Sequence, residues 1–213
     1  FGVGQSAAED SAAAGAEAAR AALRGPDPQL LLVFAAPSHD LPALSQAIRA
    51  EAPGAPLVGC STAGEIAGGG PRASSVVVSA FGGDGFSVRT AAGRRASARL
   101  REAGAEAAGA MRGVEGEHRV LLMLSDGLAG DQQEIVRGAY GVLGAGVPLV
   151  GGCAGDDLGM ESTFQLHGDE VLSDAVVAAA IGSEAPLGIG VRHGWRRVGD
   201  PMLVTGSHEN RVL

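Results

Sequence analysis

An order of elements that begins at Leu30 begins again at Val120, about 90 residues later, and this internal match constrains the fold more than any other feature. In the first copy, Leu30 to Ala35 reads as a strand. Asp40 caps a helix whose Leu41, Leu44 and Ile48 fall at i, i+3 and i+7, and Pro53-Gly54 ends it. Pro56-Leu57-Val58-Gly59 is then a short strand running into the loop Cys60 to Gly70. In the second copy, Val120 to Leu124 is the strand, and Asp131 with Glu134 caps the helix that carries Ile135, Ala139 and Leu143. Val147 to Cys153 mirrors Ala55 to Cys60, which sets the two cysteines at matching positions after a glycine. Val176 to Gly182 answers Val76 to Gly82, and Val191-Arg192-His193 answers Val88-Arg89-Thr90.

Each strand, helix, strand set has a short connection, so its two strands should run parallel with a right-handed crossover. Ser75 to Phe81 and Phe86 to Thr90 read as an antiparallel pair across Gly82-Gly83-Asp84-Gly85. The expectation is an α/β fold, internally duplicated. Two β-α-β plus β-hairpin halves, 26–93 and 115–195, form mixed sheets flanked by helices about a pseudo-twofold axis, with the two glycine-rich loops close together. Ser6 and Glu9 make a capping-box pair for a first helix running to Leu23 and closed by Gly25-Pro26. A third helix is expected from Arg95 to Met111. Met202 to Thr205 and Arg211-Val212-Leu213 read as strand and turn, the start of a further region from residue 201 onward.

The formal charge of -8 excludes a basic stripe for phosphate contacts, and with it nucleic acid and anionic membrane surfaces as partners. No apolar run approaches the roughly 18 residues of a membrane span, so no membrane segment is expected in this chain. Two cysteines so far apart make neither a disulfide scaffold nor a zinc cluster, which fits a reduced cytoplasm. All 16 basic side chains are Arg, the bias of a GC-rich bacterial genome.

Chemistry concentrates at the strand exits. Val58-Gly59-Cys60-Ser61-Thr62-Ala63-Gly64-Glu65-Ile66 ends a strand in small and hydroxyl residues between glycines, and ligands of open α/β sheets settle beyond the carboxyl ends of parallel strands. The same loop also reads as a tight exit whose Ser61 and Thr62 close turn hydrogen bonds. Gly151-Gly152-Cys153-Ala154-Gly155-Asp156-Asp157 sets two carboxylates at the equivalent exit, suited to an amine or to loop capping. Asp126, after the strand at 120–124, brings a third carboxylate to the same edge or caps the next turn. His193 beside Trp195 is either a pocket rim or a hydrogen-bonded edge residue. Cys60 and Cys153 read first as small packing residues. The ligand-binding set is therefore Cys60, Ser61, Thr62, Glu65, Asp126, Cys153, Asp156, Asp157 and His193, with no catalytic residue, metal or cofactor. No phosphate loop, Gly-x-Gly-x-x-Gly, Gly-x-Ser-x-Gly or His-Glu-x-x-His is present, and the chain is expected not to be an enzyme. The rival readings are an interaction scaffold, and a hydrolase using Ser61 or Cys60 with His193 and Asp157.

Taken together, Gly2-Val3-Gly4-Gln5-Ser6, the 58–66 loop, Ser125-Asp126-Gly127-Leu128, the 150–157 loop, His193-Gly194-Trp195 and Val204-Thr205 make the chain resemble the N-terminal domain of FIST proteins (F-box and intracellular signal transduction). The resemblance implies a sensory domain over residues 1–200, followed from 201 by a C-terminal FIST region and coupled to signalling output domains. It also implies a small ligand, with amino acids the class proposed, and carries over no catalytic residue. Many relatives have Ser where this chain has Cys153.

Overall fold

The computed structural model describes residues 1–213 except Pro26, His193, Glu209, Asn210 and Leu213, together with the side chains of Arg211 and Val212. Its elements are β1 (Gly2–Ser6), α1 (Ser11–Ala22), β2 (Pro28–Ala35), α2 (Leu41–Glu51), β3 (Leu57–Ser61), β4 (Glu65–Ala67), β5 (Gly70–Arg72), β6 (Val76–Gly82), β7 (Phe86–Arg94), α3 (Leu100–Ala108), β8 (His118–Ser125), α4 (Gln132–Leu143), β9 (Leu149–Cys153), β10 (Gln165–His167), β11 (Glu170–Leu172), β12 (Ala175–Ser183), β13 (Ser207–His208) and β14 (Arg211–Val212). No helix among them is long and apolar enough to cross a membrane.

The central strands are apolar on both faces, and the pleat sends alternate residues to opposite sides. Leu31, Val33 and Ala35 of β2 pack with Val76 and Val78 against Ala14 and Ala18 of α1 and Leu44 and Ile48 of α2. Leu30 and Leu32 point the other way and meet Val120, Leu124, Val177, Ala179 and Ile181 of a second sheet. The second sheet turns Leu121, Met123, Val176, Ala178 and Ala180 toward Ala103 and Ala107 of α3 and Ile135 and Ala139 of α4. The result is four layers, helices, sheet, sheet, helices, an α/β architecture with mixed sheets.

The first sheet has the order β1-β6-β2-β3-β10-β11 and the second β7-β12-β8-β9, while β4 pairs only with β5 and β13 with β14. β2 with β3 and β8 with β9 are the parallel pairs. The order β7-β12-β8-β9 repeats β1-β6-β2-β3, with β7 in the place of β1.

That placement corrects the expected hairpin of β6 with β7. The sequence reading missed β1, whose pairing with β6 along Ser6↔Val76 to Gly2↔Ala80 fills one edge, while β2 fills the other. With no edge free on β6, the chain crosses at Gly82–Gly85 and β7 starts the second sheet against β12. The first helix also starts later than expected. Asp10 caps α1 by accepting from the Ala13 N–H (2.8 Å), and Ser6 lies in β1, donating to Glu17 Oε2 (2.6 Å). Asp40 and Asp131 cap α2 and α4 as expected, through the N–H groups of Ala43 and Gln133, but the Glu134 side chain, expected to share the cap with Asp131, pairs with Arg101 and Arg137 instead. The third helix is shorter than 95–111, flanked by 3-10 turns at Ala96–Ala98 and Gly109–Met111. Val191-Arg192 and Met202 to Thr205 form no strand; Pro26 and His193, which belong to two of the expected features, lie outside the described residues.

The hairpin β10–β11 leaves its own half of the chain and adds to the first sheet through β10 and β3, paired Gln165↔Cys60, Leu166↔Gly59 and His167↔Val58. His167 is half-buried and lies 3.1 Å from Thr90 Oγ1 in β7, tying the two sheets together; burial lowers its pKa from the usual 6.5.

Two measurements check this architecture. The helices α3 and α4 touch through backbone at Gly104, where a Cβ would stand 2.1 Å from the Ile135 carbonyl oxygen; Gly141 of α4 faces open space. Urea denaturation should show Gly104→Ala losing about 1–3 kcal/mol by overpacking, and Gly141→Ala gaining about 0.5–1 kcal/mol from helix propensity. Because the folded pKa of His167 is below 6.5, the unfolded chain binds the extra proton first and stability falls as pH drops through 6.5. His167→Gln, which keeps a hydrogen-bonding group near Thr90 without titrating, should flatten that part of the stability profile.

Candidate functional site

The carboxyl ends of the two parallel pairs meet. Thr62 N–H donates to the Ala35 carbonyl (3.1 Å), Ala154 N–H to Ser125 (2.8 Å), and Gly155 N–H crosses between the exits to the Ser61 carbonyl (2.9 Å). The two glycine-rich loops are thus joined directly, at the edge where open α/β sheets present ligand crevices.

Most of the polar side chains gathered here are consumed in holding the loops. Glu65 is buried, and its Oε1 accepts from Thr62 Oγ1 (2.5 Å) while its Oε2 accepts from Ser75 N–H and Oγ (both 2.9 Å). Gln165 does the same at the start of β10: it accepts from the Ala175 N–H (3.2 Å) and donates to Thr163 Oγ1 (3.3 Å). Each residue pins a hairpin to the strand that follows it. Gln165, Ser75 and Thr163 escaped the sequence reading; Glu65 and Gln165 stand 100 residues apart, an offset stretched by the 155–162 insertion.

Asp126 is buried and accepts from the N–H groups of Leu128 (2.8 Å) and Asp174 (2.9 Å). Asp156 accepts from Glu161 (2.7 Å), Met160 (3.0 Å) and Ser162 (3.1 Å), and these backbone donors, Glu161 first, hold its carboxyl below the ordinary carboxylate range. Asp157 is exposed at φ 54° and makes no side-chain hydrogen bond among the described residues. Ser61 is fully buried, its Oγ accepting from the Phe164 N–H (2.9 Å), and Thr62 is half-buried. His193 lies outside the described residues, and Trp195 is exposed.

The cysteines are not at matching positions. The pairings Phe34↔Cys60 and Ser125↔Cys153 show that Cys153 stands where Ser61 does, one residue further along than Cys60. A one-residue shift on a strand reverses the face. Cys60 is therefore buried between the sheets, where desolvation, with a smaller contribution from Cys153, pushes its thiol up to about 12. Cys153 is exposed, 3.6 Å from Ser125 Oγ.

Two surface clefts lie away from the exits. One, of about 360 Å³, is lined by Phe1, Arg24, Asp27, Phe81 and Asp84; the other, of about 600 Å³, runs along α2 between Arg49 and Asp169.

The family model described as FIST N domain matches residues 29–213. No curated protein matches the chain. Among solved structures it is similar to a cyanuric acid hydrolase from A. caulinodans, at 13% identity and a TM-score of 0.43, over 87% of this chain and 68% of that one.

The burial difference predicts thiol reactivity. Iodoacetamide on the folded chain at pH 8 should add one label, at Cys153, and urea should bring the count to two by mass spectrometry. Labelling of Cys60 in the folded chain would contradict its placement between the sheets.

Proposed function

We propose that this chain, which belongs to the FIST N domain family, binds a small ligand at the joined strand exits and passes the binding event to the domains it is coupled to. The family is one of signal-transduction sensory domains. The observation that carries the reading is the Gly155-to-Ser61 hydrogen bond, which brings the exits of both parallel pairs to one edge. At that edge Asp157, like Glu161 further along the loop, has a carboxylate without a partner among the described residues, whereas Glu65, Asp126 and Asp156 are occupied by donors of the fold itself. Ala63 and Gly64 are exposed, and Ala63 lies against Gly155, two residues before Asp157.

An amino acid suits this arrangement. Its amine goes to Asp157 and its carboxylate to backbone N–H groups of the 62–64 turn. The side chains that a nucleophilic mechanism would use are the poorly placed ones, since Cys60 has a thiol pushed up to about 12 and Ser61 is fully buried. Binding rather than catalysis is therefore the reading, in the cytoplasm of a bacterium, with a C-terminal FIST domain and signalling output domains as the coupled parts.

A second reading, an interaction scaffold, draws support from the exposed apolar residues on the loops around the same exits: Ile66 at 75%, Leu158 at 82% and Met160 at 71%.

A thermal-shift panel of amino acids decides between them. A ligand at a hundredfold excess over its Kd should stabilise the chain by about 2.7 kcal/mol. Asp157→Asn should abolish the shift while leaving the unliganded Tm in place, because the Asp157 side chain holds no hydrogen bond among the described residues. Silence across the panel would remove the amino-acid reading and leave the scaffold.

A further inference from the structure

The two sheets differ at one edge. In the first, β3 is covered by β10; in the second, β9 holds the same position beside its parallel partner and, among the described residues, no strand pairs beyond it. Gly151, Gly152 and Cys153 of β9 are exposed, whereas every residue of β3 is buried. The missing piece is present elsewhere on the chain. The hairpin β4–β5 follows β3 as β10–β11 follows β9, is pinned by Glu65 as the other is by Gln165, and pairs with no strand but its own.

The register of the covered edge transfers residue by residue. Leu166 of β10 sits opposite Gly59 and is completely buried; Ile66, its equivalent in β4, is 75% exposed. Gly59 and Gly151 are equivalent too, each lying so close to the neighbouring strand that a Cβ would stand 2.3 Å from the Val33 oxygen or 1.8 Å from the Met123 oxygen. The covered edge is closed by Ser61 N–H to the Phe164 carbonyl and by Gly168 N–H to the Leu57 carbonyl, both 2.9 Å. The open edge offers the counterparts, Cys153 N–H and the Leu149 carbonyl, and the free hairpin offers the Gly64 carbonyl and Gly68 N–H.

We infer that β9 is the acceptor edge for the β4–β5 hairpin of a second copy of this chain. Ile66 of one copy seats opposite Gly151 of the other, Glu65 opposite Gly152 and Ala67 opposite Val150, extending the second sheet as β10 extends the first. The hairpin of the same chain lies against β6 and β1 and pairs with no strand of the second sheet among the described residues, so the hairpin inferred to fill β9 is that of another copy. An open edge strand is a template for such addition, and main-chain hydrogen bonds supply the contact. Donor and acceptor are different patches, so the interface is head-to-tail, and an open assembly leaves one hairpin free at one end and one edge free at the other unless a ring closes. This inference is independent of the ligand reading.

Sedimentation equilibrium across a concentration series, with amide exchange read at Gly151 and Cys153, tests it. The expected result is self-association, with those two amides protected at high concentration and exchanging on dilution. Ile66→Asp, at an exposed position, should abolish the association with an unchanged circular dichroism spectrum, and Ile66→Leu should retain it. A monomer at every concentration overturns the inference, as does association indifferent to Ile66→Asp. So does a monomer whose β9 amides are already protected, because another segment then fills the edge. Loss of ligand binding leaves these readouts untouched.

Discussion

Everything in this fold follows from strands that are apolar on both faces. A strand such as β2, with Leu31 and Val33 on one side and Leu30 and Leu32 on the other, cannot leave either side in water. Each sheet therefore needs two covers, helices on one face and a second sheet on the other. The four layers satisfy this with apolar residues at equivalent positions of the two halves, and the alanine-rich helices make it possible, because Ala14, Ala18, Ala103 and Ala107 let helix and sheet approach closely.

Stacking two sheets face to face is also what creates the candidate site. Helical connections place the parallel strands of both sheets with their carboxyl ends at one edge, and the second sheet's exit loop lies close enough for Gly155 to bond to Ser61. The polar groups there divide by burial. Glu65 and Asp126, sealed from water, are obliged to find donors and become parts of the fold, while Asp157 stays exposed and free for another partner.

Much of this was legible in order. The caps Asp40 and Asp131, the repeated strand, helix, strand sets and the approach of the two loops all came from local patterns of spacing and chain connection. What escaped has a common cause. Gly2-Val3-Gly4-Gln5-Ser6 does not announce a strand, and once β1 is missed β6 looks available to β7. The two cysteines look equivalent in an alignment of motifs, yet the pairing register separates them by one residue and so by a whole face of the sheet. Glu65 looked like a ligand-binding acid because its donors, Thr62 and the Ser75 N–H, are supplied by turns whose geometry the sequence does not spell out.

The sequence by itself determined the periods: the helices and the central strands β2, β3, β6, β8, β9 and β12, the recurrence of strand, helix, strand, and which residue types stand at the exits. Those are properties of neighbours along the chain, set by side-chain pattern and capping. The tertiary structure alone decided which edge each strand occupies, that β10–β11 covers β3 while β9 stays open, and which carboxylates are consumed by the backbone. Pairing joins residues far apart in sequence, and a strand edge can be filled only once, so each such choice depends on every other strand already in place.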